Sequence, residues 1–395
     1  MSLNGAASPE RSRVTALDGI RGIAILGVLL LHYEARQESP ITALRFLWAP
    51  LVGSGWAGVD LFFVLSGFLI TGILLDTRKH PHFFRLFYAR RTLRIFPLYY
   101  LALILIFLLA PPLQLAEPVP VATQLWYWSY LSNLKMAWVG WGFAPAHTPH
   151  FWSLAIEEQF YLVWPAVVYF ASALTVRRIC VVVMISSLLS RLLLVLGNAP
   201  DSMVELLTSS RVEPLAVGAL VASVLRHAPT AAIWRRLTRP VTIAALTMLL
   251  FAVFMARSAQ PKGIWMGTVG ISAIAWLGAM AIVHGTDGSR PSSRRSILEN
   301  SLLTFFGRYS YGIYVWHYPV MIVLASQQVT VAHLAEWTGS TNLANLLFVG
   351  TNLSVTLLFT LMSWQLVERP LLQLKSRFSY GRVASPEAAV NSAVP

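Results

Sequence analysis

The chain has 395 residues, of which 56% are hydrophobic and only 12% charged, with a mean hydropathy of +0.61 and a net charge of +13. A soluble domain carries about twice that fraction of charge, so the composition describes a polytopic, all-α membrane protein. The basic excess does not signal nucleic acid. Its Lys and Arg lie in short loops between apolar segments, where they set topology and, on the cytoplasmic side, meet membrane lipids or an anionic cofactor.

Residues 1–15 form a polar tail ending beyond Arg11 and Arg13. The first apolar segment has no small-residue cleavage site and more spans follow, so it is expected to stay as an anchor and not be removed as a signal peptide. Ten spans are expected, near 17–37, 58–75, 96–113, 152–172, 178–196, 211–227, 241–257, 264–284, 309–326 and 343–367. The segment from Asp76 to Arg94 is dense in Arg and Lys and is expected on the cytoplasmic side. Alternation then puts 177–178, 226–239, 290–308 and 369–382 there too, leaving mainly Arg36, Arg45, Lys135, Arg257 and Lys262 opposite. Both termini are expected to be cytoplasmic.

The first span reads LDGIRGIAILGVLLLHY, with Arg21 and His32 eleven residues apart. Those positions share one helical face to within about 20° and stand roughly 16 Å apart along the axis. Each alone would be accounted for by snorkelling to an interface. Their common face favours a protein interior or wet cavity. In the second span, Gly58, Ser66, Gly67 and Gly72 permit close helix approach. Asp60 is either a solvated interfacial carboxylate or a hydrogen-bonding partner for a cavity group.

The loop from His82, HFFRLFYARRTLRIFPLYY, places Arg91 and Arg94 one helical turn apart. By charge alone this is a topology anchor; the sharper reading is a pocket for a phosphorylated cofactor, since Arg forks match phosphate oxygens. Residues 114–150 carry Trp126, Tyr127, Trp128, Tyr130, Trp138, Trp141 and Phe143, then His147 and His150. They read equally as an interfacial aromatic belt or as a platform for a sugar or lipid-linked acceptor. Glu157 and Glu158 lie in an otherwise apolar helix. Adjacent positions point about 100° apart, so at most one is expected to face the same cavity as His32. The alternative is that one of them pairs with Arg191 or Arg211 inside the bundle.

Arg211 and Glu213 flank a span start, spans seven and eight look like packing helices, and span nine groups Arg308, Tyr309, Tyr311, Tyr314, His317 and Pro319. The single cysteine, Cys180, excludes an intramolecular disulfide and reads as a small buried hydrophobe. No His-x-x-x-His pair, Gly-rich phosphate loop or G-x-S-x-G elbow occurs, and no metal site is expected.

Taken together, the ordered blocks resemble the acyltransferase-3 family of membrane O-acyltransferases. They are LDGIRG with His32 downstream, GVDLFFVLSGFLI (58–70), Arg91 and Arg94 followed by Pro97, WSLAIEEQFYLVWP (152–165), RVEPLAVGAL (211–220), GRYSYGIYVWHYP (307–319), and Glu368 with Pro370. The resemblance implies a ten-helix domain over 16–370. Such a domain moves an acyl group, acetyl first, from an acyl-CoA donor to a hydroxyl of a glycan, a lipid-linked sugar or a glycosylated small molecule. It implies a multi-pass protein of a bacterial cytoplasmic (inner) membrane, with 371–395 as a polar tail. Some members carry an extracytoplasmic hydrolase-like domain; here any such partner is expected to be a separate protein.

His32 is the expected catalytic base, or a transient acyl carrier, and Glu157 or Glu158 is expected to orient it. Arg21, Arg91 and Arg94 are the candidates for the CoA phosphates. Asp60, Trp152, Arg211, Tyr311 and His317 are the candidates for substrate contact, His317 being also the second choice for catalysis. The rival class is a multi-span transporter or exporter, which would show internal repeats and broken helices.

Overall fold

The computed structural model describes residues 9–34, 52–286 and 297–378. Residues 1–8 and 379–395, with Arg36, Arg45 and Arg290, lie outside the described residues. Every one of the ten expected segments forms a helix where it is described. The long ones are α1 (Pro9–Glu34), α2 (Ala57–Thr77), α3 (Phe83–Ile104) and, after two short helices, α4 (Val121–Trp128) and α5 (Ser132–Val139), α6 (Trp152–Phe170) and α7 (Ala173–Leu196). Then come α8 (Asp201–Leu206), α9 (Thr208–Arg211), α10 (Glu213–Leu225), α11 (Ala228–Ala256), α12 (Ile271–Thr286), α13 (Ser301–Ser326), α14 (Val331–Thr338) and α15 (Thr341–Ser363). α15 continues through a π-helical turn into α16 (Arg369–Gln373) and a last 3-10 turn, Leu374–Phe378. α1 starts at Pro9, inside the stretch expected to be a polar tail.

Seven described helices are long and apolar enough to cross a membrane, or eight if α13 and α14, bent by 52°, count as one span. The expectation of ten meets its limit at two places. α6 is diluted by Glu157, Glu158 and Gln159, and α10 has only 13 residues, short of the ~20 that a bilayer requires. α10 is nevertheless buried along almost its whole length. It runs parallel to α2 and is joined to it at both ends: Arg211, just before α10, holds Asp60, and Arg226, just after it, holds Asp76 through two bonds of 2.7 Å.

Two helix pairs form the centre. A Cβ on Gly307 would run into the carbonyl of Asp18, and one on Gly22 into that of Leu303, so α13 lies backbone to backbone on α1. Gly67 and Gly218 do the same for α2 and α10. Small residues are the means of association where lipid offers no hydrophobic contrast. α7 and α11 lie outside this centre and turn Leu193, Ile243 and Phe254 outward, as lipid-facing helices do. Cys180 is buried.

Candidate active site

A cavity of about 340 Å³ lies between α2, α3, α6 and α13. Its wall follows α2 from Val59 to Ile73, about 21 Å of helix. Five basic side chains border it, Arg21, Arg90, Arg91, Arg94 and Lys375, against two acidic ones, Glu157 and Glu158. Phe62, Leu69, Ile70 and Phe87 supply apolar wall, and Ser153 and Tyr314 close the part near the start of α6.

Each cation is held by local structure. Arg21 Nη1 donates to Asp18 Oδ1 at 2.7 Å, one turn earlier on α1. The Arg91 guanidinium lies 5.6 Å from the Tyr161 ring and 6.0 Å from that of Phe87. Glu368 supplies opposite charge to Arg94. Arg90 Nη1 donates to the carbonyl oxygens of Phe378, at 3.0 Å, and Lys375, at 3.4 Å, fastening the last turn to α3. That turn brings Lys375 to the cavity, where burial and then Arg94, Arg91 and Arg90 push its ammonium down to about 7.

The glutamates differ from expectation. Both line the cavity, because its wall wraps round α6 far enough to meet adjacent positions. Neither pairs with Arg191 or Arg211, which have other partners, and neither hydrogen-bonds His32. Glu157 accepts from Ser66 Oγ at 2.7 Å, and Glu158 Oε1 is buried with no hydrogen-bond partner.

His32 stands beyond the cavity, against α13. Its Nδ1 is 3.0 Å from the carbonyl oxygen of Val28 and 3.2 Å from His317 Nε2. His317 Nδ1 is 2.7 Å from the carbonyl oxygen of Tyr314 and 3.2 Å from that of Ile313. The His150 ring is 4.9 Å from that of His317 and stacks on Tyr318 at 5.5 Å. Tyr314 connects this cluster to the cavity: its ring is 5.5 Å from His317, and its hydroxyl donates to the carbonyl of His150 at 2.9 Å and meets Ser153 Oγ at 2.6 Å.

The other residues singled out from the sequence fall into two buried knots. Asp60 is neither the solvated carboxylate nor the partner of a group on this cavity: Arg211 Nη2 donates to its Oδ1 at 2.7 Å, and both groups are buried. The Arg211 guanidinium lies 5.5 Å from the Trp152 ring. None of these three is in the cavity wall. Arg191 pairs with Glu213 and bonds also to Ser187, Ser272 and the carbonyl of Ser210. Tyr311 does line the cavity and donates to the carbonyl of Ile95 at 2.7 Å.

The structure therefore brings Arg21, Arg91, Arg94, Glu157, Glu158 and Tyr311 to one cavity, and His32 and His317 to one cluster beside it. Tyr314, His150 and Lys375 join them without having been assigned a role from the sequence. Tyr314 and His150 belong to motifs already singled out, GRYSYGIYVWHYP and the residues leading into WSL, so the signal was present. Lys375 lies past the last apolar stretch and carries none. The aromatic stretch 114–150 is mixed: Tyr127 and Tyr130 are buried against α3, while Trp138 is 71% exposed.

Among the described residues, the architecture is that of a helical membrane protein with a cationic cavity leading towards a histidine pair. The chain belongs to the acyltransferase-3 family: the family profile described as an acyltransferase domain matches residues 14–364. It is similar to the peptidoglycan O-acetyltransferase OatA of Listeria monocytogenes, 29% identical over 383 residues, which cover 92% of this chain and 56% of that protein. It is also similar to the O-acetyltransferase OatA of Staphylococcus aureus, 29% identical over 334 residues, 79% of this chain and 51% of that protein. The chain thus spans about half the length of these relatives. No solved structure matches it.

Proposed function

We propose that this chain is a membrane O-acyltransferase. It takes an acyl group, acetyl first, from acyl-CoA in the cavity and transfers it to a hydroxyl of a glycan, a lipid-linked sugar or a glycosylated small molecule. The observation that carries this reading is the placement of five cations on a deep, partly apolar cavity whose other part ends at Tyr314, beside His317 and His32. Arg forks and an ammonium suit the phosphates of a nucleotide thioester. The apolar wall along α2 and α3 suits its long thiol arm. The names of the relatives favour acetyl as the acyl group and a peptidoglycan-type glycan as the first acceptor to test.

In this reading the Arg- and Lys-bordered end, with both termini, faces the cytoplasm, where CoA is available and where the basic loops are expected. The acceptor arrives from the other side, near His32. His32 acts as general base: it takes the proton of the acceptor hydroxyl as the oxygen attacks the thioester carbonyl. The C–O bond forms, the C–S bond breaks, and the proton passes to the leaving thiolate of CoA. Glu157, Glu158 and Tyr311 line the donor side, where the glutamates temper the excess positive charge.

The test is acyl transfer by purified protein from radiolabelled acetyl-CoA to peptidoglycan fragments and lipid-linked glycans, with wild type beside His32→Ala. A general base accounts for about 10²–10⁴-fold of the rate, and a loss of that size is expected in the folded variant. Full turnover in folded His32→Ala would overturn the role of His32 and leave acyl transfer standing, whereas no binding of CoA to the wild type would overturn the reading itself. The second outcome favours a transporter.

A further inference from the structure

From the sequence a carboxylate is expected to orient the His32 imidazole, and the geometry offers another imidazole instead. We propose that His317 is a positioning residue that fixes His32 as the Nδ1–H tautomer and thereby places the basic lone pair on Nε2. The proposal rests on the reading of His32 as the base and adds which nitrogen reacts and what selects it.

The argument is one of donors and acceptors. A carbonyl oxygen can only accept. His317 Nδ1 lies 2.7 Å from the carbonyl of Tyr314 and 3.2 Å from that of Ile313, so Nδ1 carries the proton and the Nε2 of the neutral ring holds a lone pair. That lone pair faces His32 Nδ1 at 3.2 Å. His32 Nδ1 is also 3.0 Å from the carbonyl of Val28, so both neighbours of this nitrogen are acceptors and it too must carry a proton. The neutral His32 ring then has its basic lone pair on Nε2. Two rings are set in sequence by the unpaired carbonyl lone pairs of their own helices, α13 fixing His317 and His317 helping α1 to fix His32.

The choice of a neutral orienter has a physical reason. His317 is fully buried, and a carboxylate in its place would bring a formal charge into the bundle that a neutral His32 does not balance. An imidazole lone pair orients the ring without that cost and still accepts from the imidazolium that forms during turnover. Tyr314 keeps the arrangement in register by tying α13 to the turn before α6 through the His150 carbonyl.

Among the described residues, the rings that face His32 are His317 and Tyr318 of α13, with His150 behind them. The acids of α2, Asp60 and Asp76, are engaged by Arg211 and Arg226. α12, which carries His284 in its last turn, meets the far end of α1 where Gly285 lies beside Ala16, and α15 presents Thr356 to the neighbouring Tyr33.

Two measurements test this. Histidine-selective ¹⁵N NMR of detergent-solubilised protein, with His32→Ala assigning the signal, should find Nδ1 protonated and Nε2 bare near neutral pH. The Nε2–H tautomer would overturn the proposal whether or not a substrate is known. Kinetics then separate positioning from packing. His317→Phe, which keeps bulk but no acceptor, should lower kcat by about 10²-fold with KM for acyl-CoA unchanged, less than the ~10⁴ measured for a triad carboxylate. His317→Gln, whose amide oxygen can accept from Nδ1–H, should recover most of the rate. A folded His317→Phe with wild-type kcat, or a loss that Gln does not restore, would refute the role of His317 while leaving acyl transfer intact. Absence of acyl transfer in the wild type would instead remove the functional reading, and the NMR result would still decide the tautomer.

Discussion

Two charged regions share this bundle and are built on opposite principles. Around α10, each buried cation has an anion and its polar neighbours: Arg191 with Glu213 and three serines, and Arg211 with Asp60 over Trp152. On the cavity, five cations meet two glutamates in the wall, with Asp18 beside Arg21 and Glu368 acting on Arg94. The first region is closed and neutral, so its charges define how helices fit. The second keeps an excess of positive charge on an accessible space, which is what an anionic ligand requires. Burial alone does not separate structural from functional charge in a membrane protein; the local balance of charge does.

The largest effect should come from breaking the closed region. Glu213→Ala leaves Arg191 buried and uncompensated, and removing one partner of such a pair costs about 3–5 kcal/mol. Thermal unfolding in detergent should show a large drop, and the double change Arg191→Met with Glu213→Leu should recover much of it. If the single variant keeps wild-type stability, the distinction between the regions fails.

The same operation on the cavity should spare stability and strike binding. Arg94→Gln removes a cation that Arg21 and Arg91 repel and Glu368 attracts, so the opposing effects should leave the fold far less disturbed than Glu213→Ala does. Loss of a charge-assisted contact should weaken acyl-CoA binding by about 1.5–3 kcal/mol, read by calorimetry. A destabilised Arg94→Gln with undiminished CoA affinity would reverse the assignment.

The smallest and sharpest effect concerns Lys375. In the ligand-free protein its ammonium is pushed down to about 7 by burial and the three arginines, so at pH 8 most of it is neutral. A bound phosphate favours the charged form and raises the value, so binding takes up a proton, and affinity should fall as pH rises above 7. Calorimetry at pH 8 in buffers of different ionisation enthalpy should register that uptake, and Lys375→Ala should abolish it and flatten the pH dependence. No proton uptake in the wild type would exclude Lys375 from the anion site.

The helices were legible in the sequence because hydropathy and segment length are local properties, and every expected segment is helical. The Arg21, Arg91 and Arg94 group was legible for a related reason: unusual charge in apolar surroundings stands out wherever it lies. Partners were not. Asp60 with Arg211, and His32 with His317, are separated by 151 and 285 residues, and no periodicity links them. The expectation that at most one glutamate would face the cavity failed because a helix pattern gives the angle between neighbours but not the width of the space they face.

By itself, then, the sequence determined a helical membrane chain, its family resemblance and which ionisable residues deserve notice, since all of these follow from composition and order along the chain. Only the tertiary structure decided which charges cancel, which remain on a cavity, and that the His32 ring meets an imidazole and not a carboxylate. Those outcomes depend on how helices cross and rotate, and the glycine contacts that set α1 on α13 and α2 on α10 act between segments far apart in the chain.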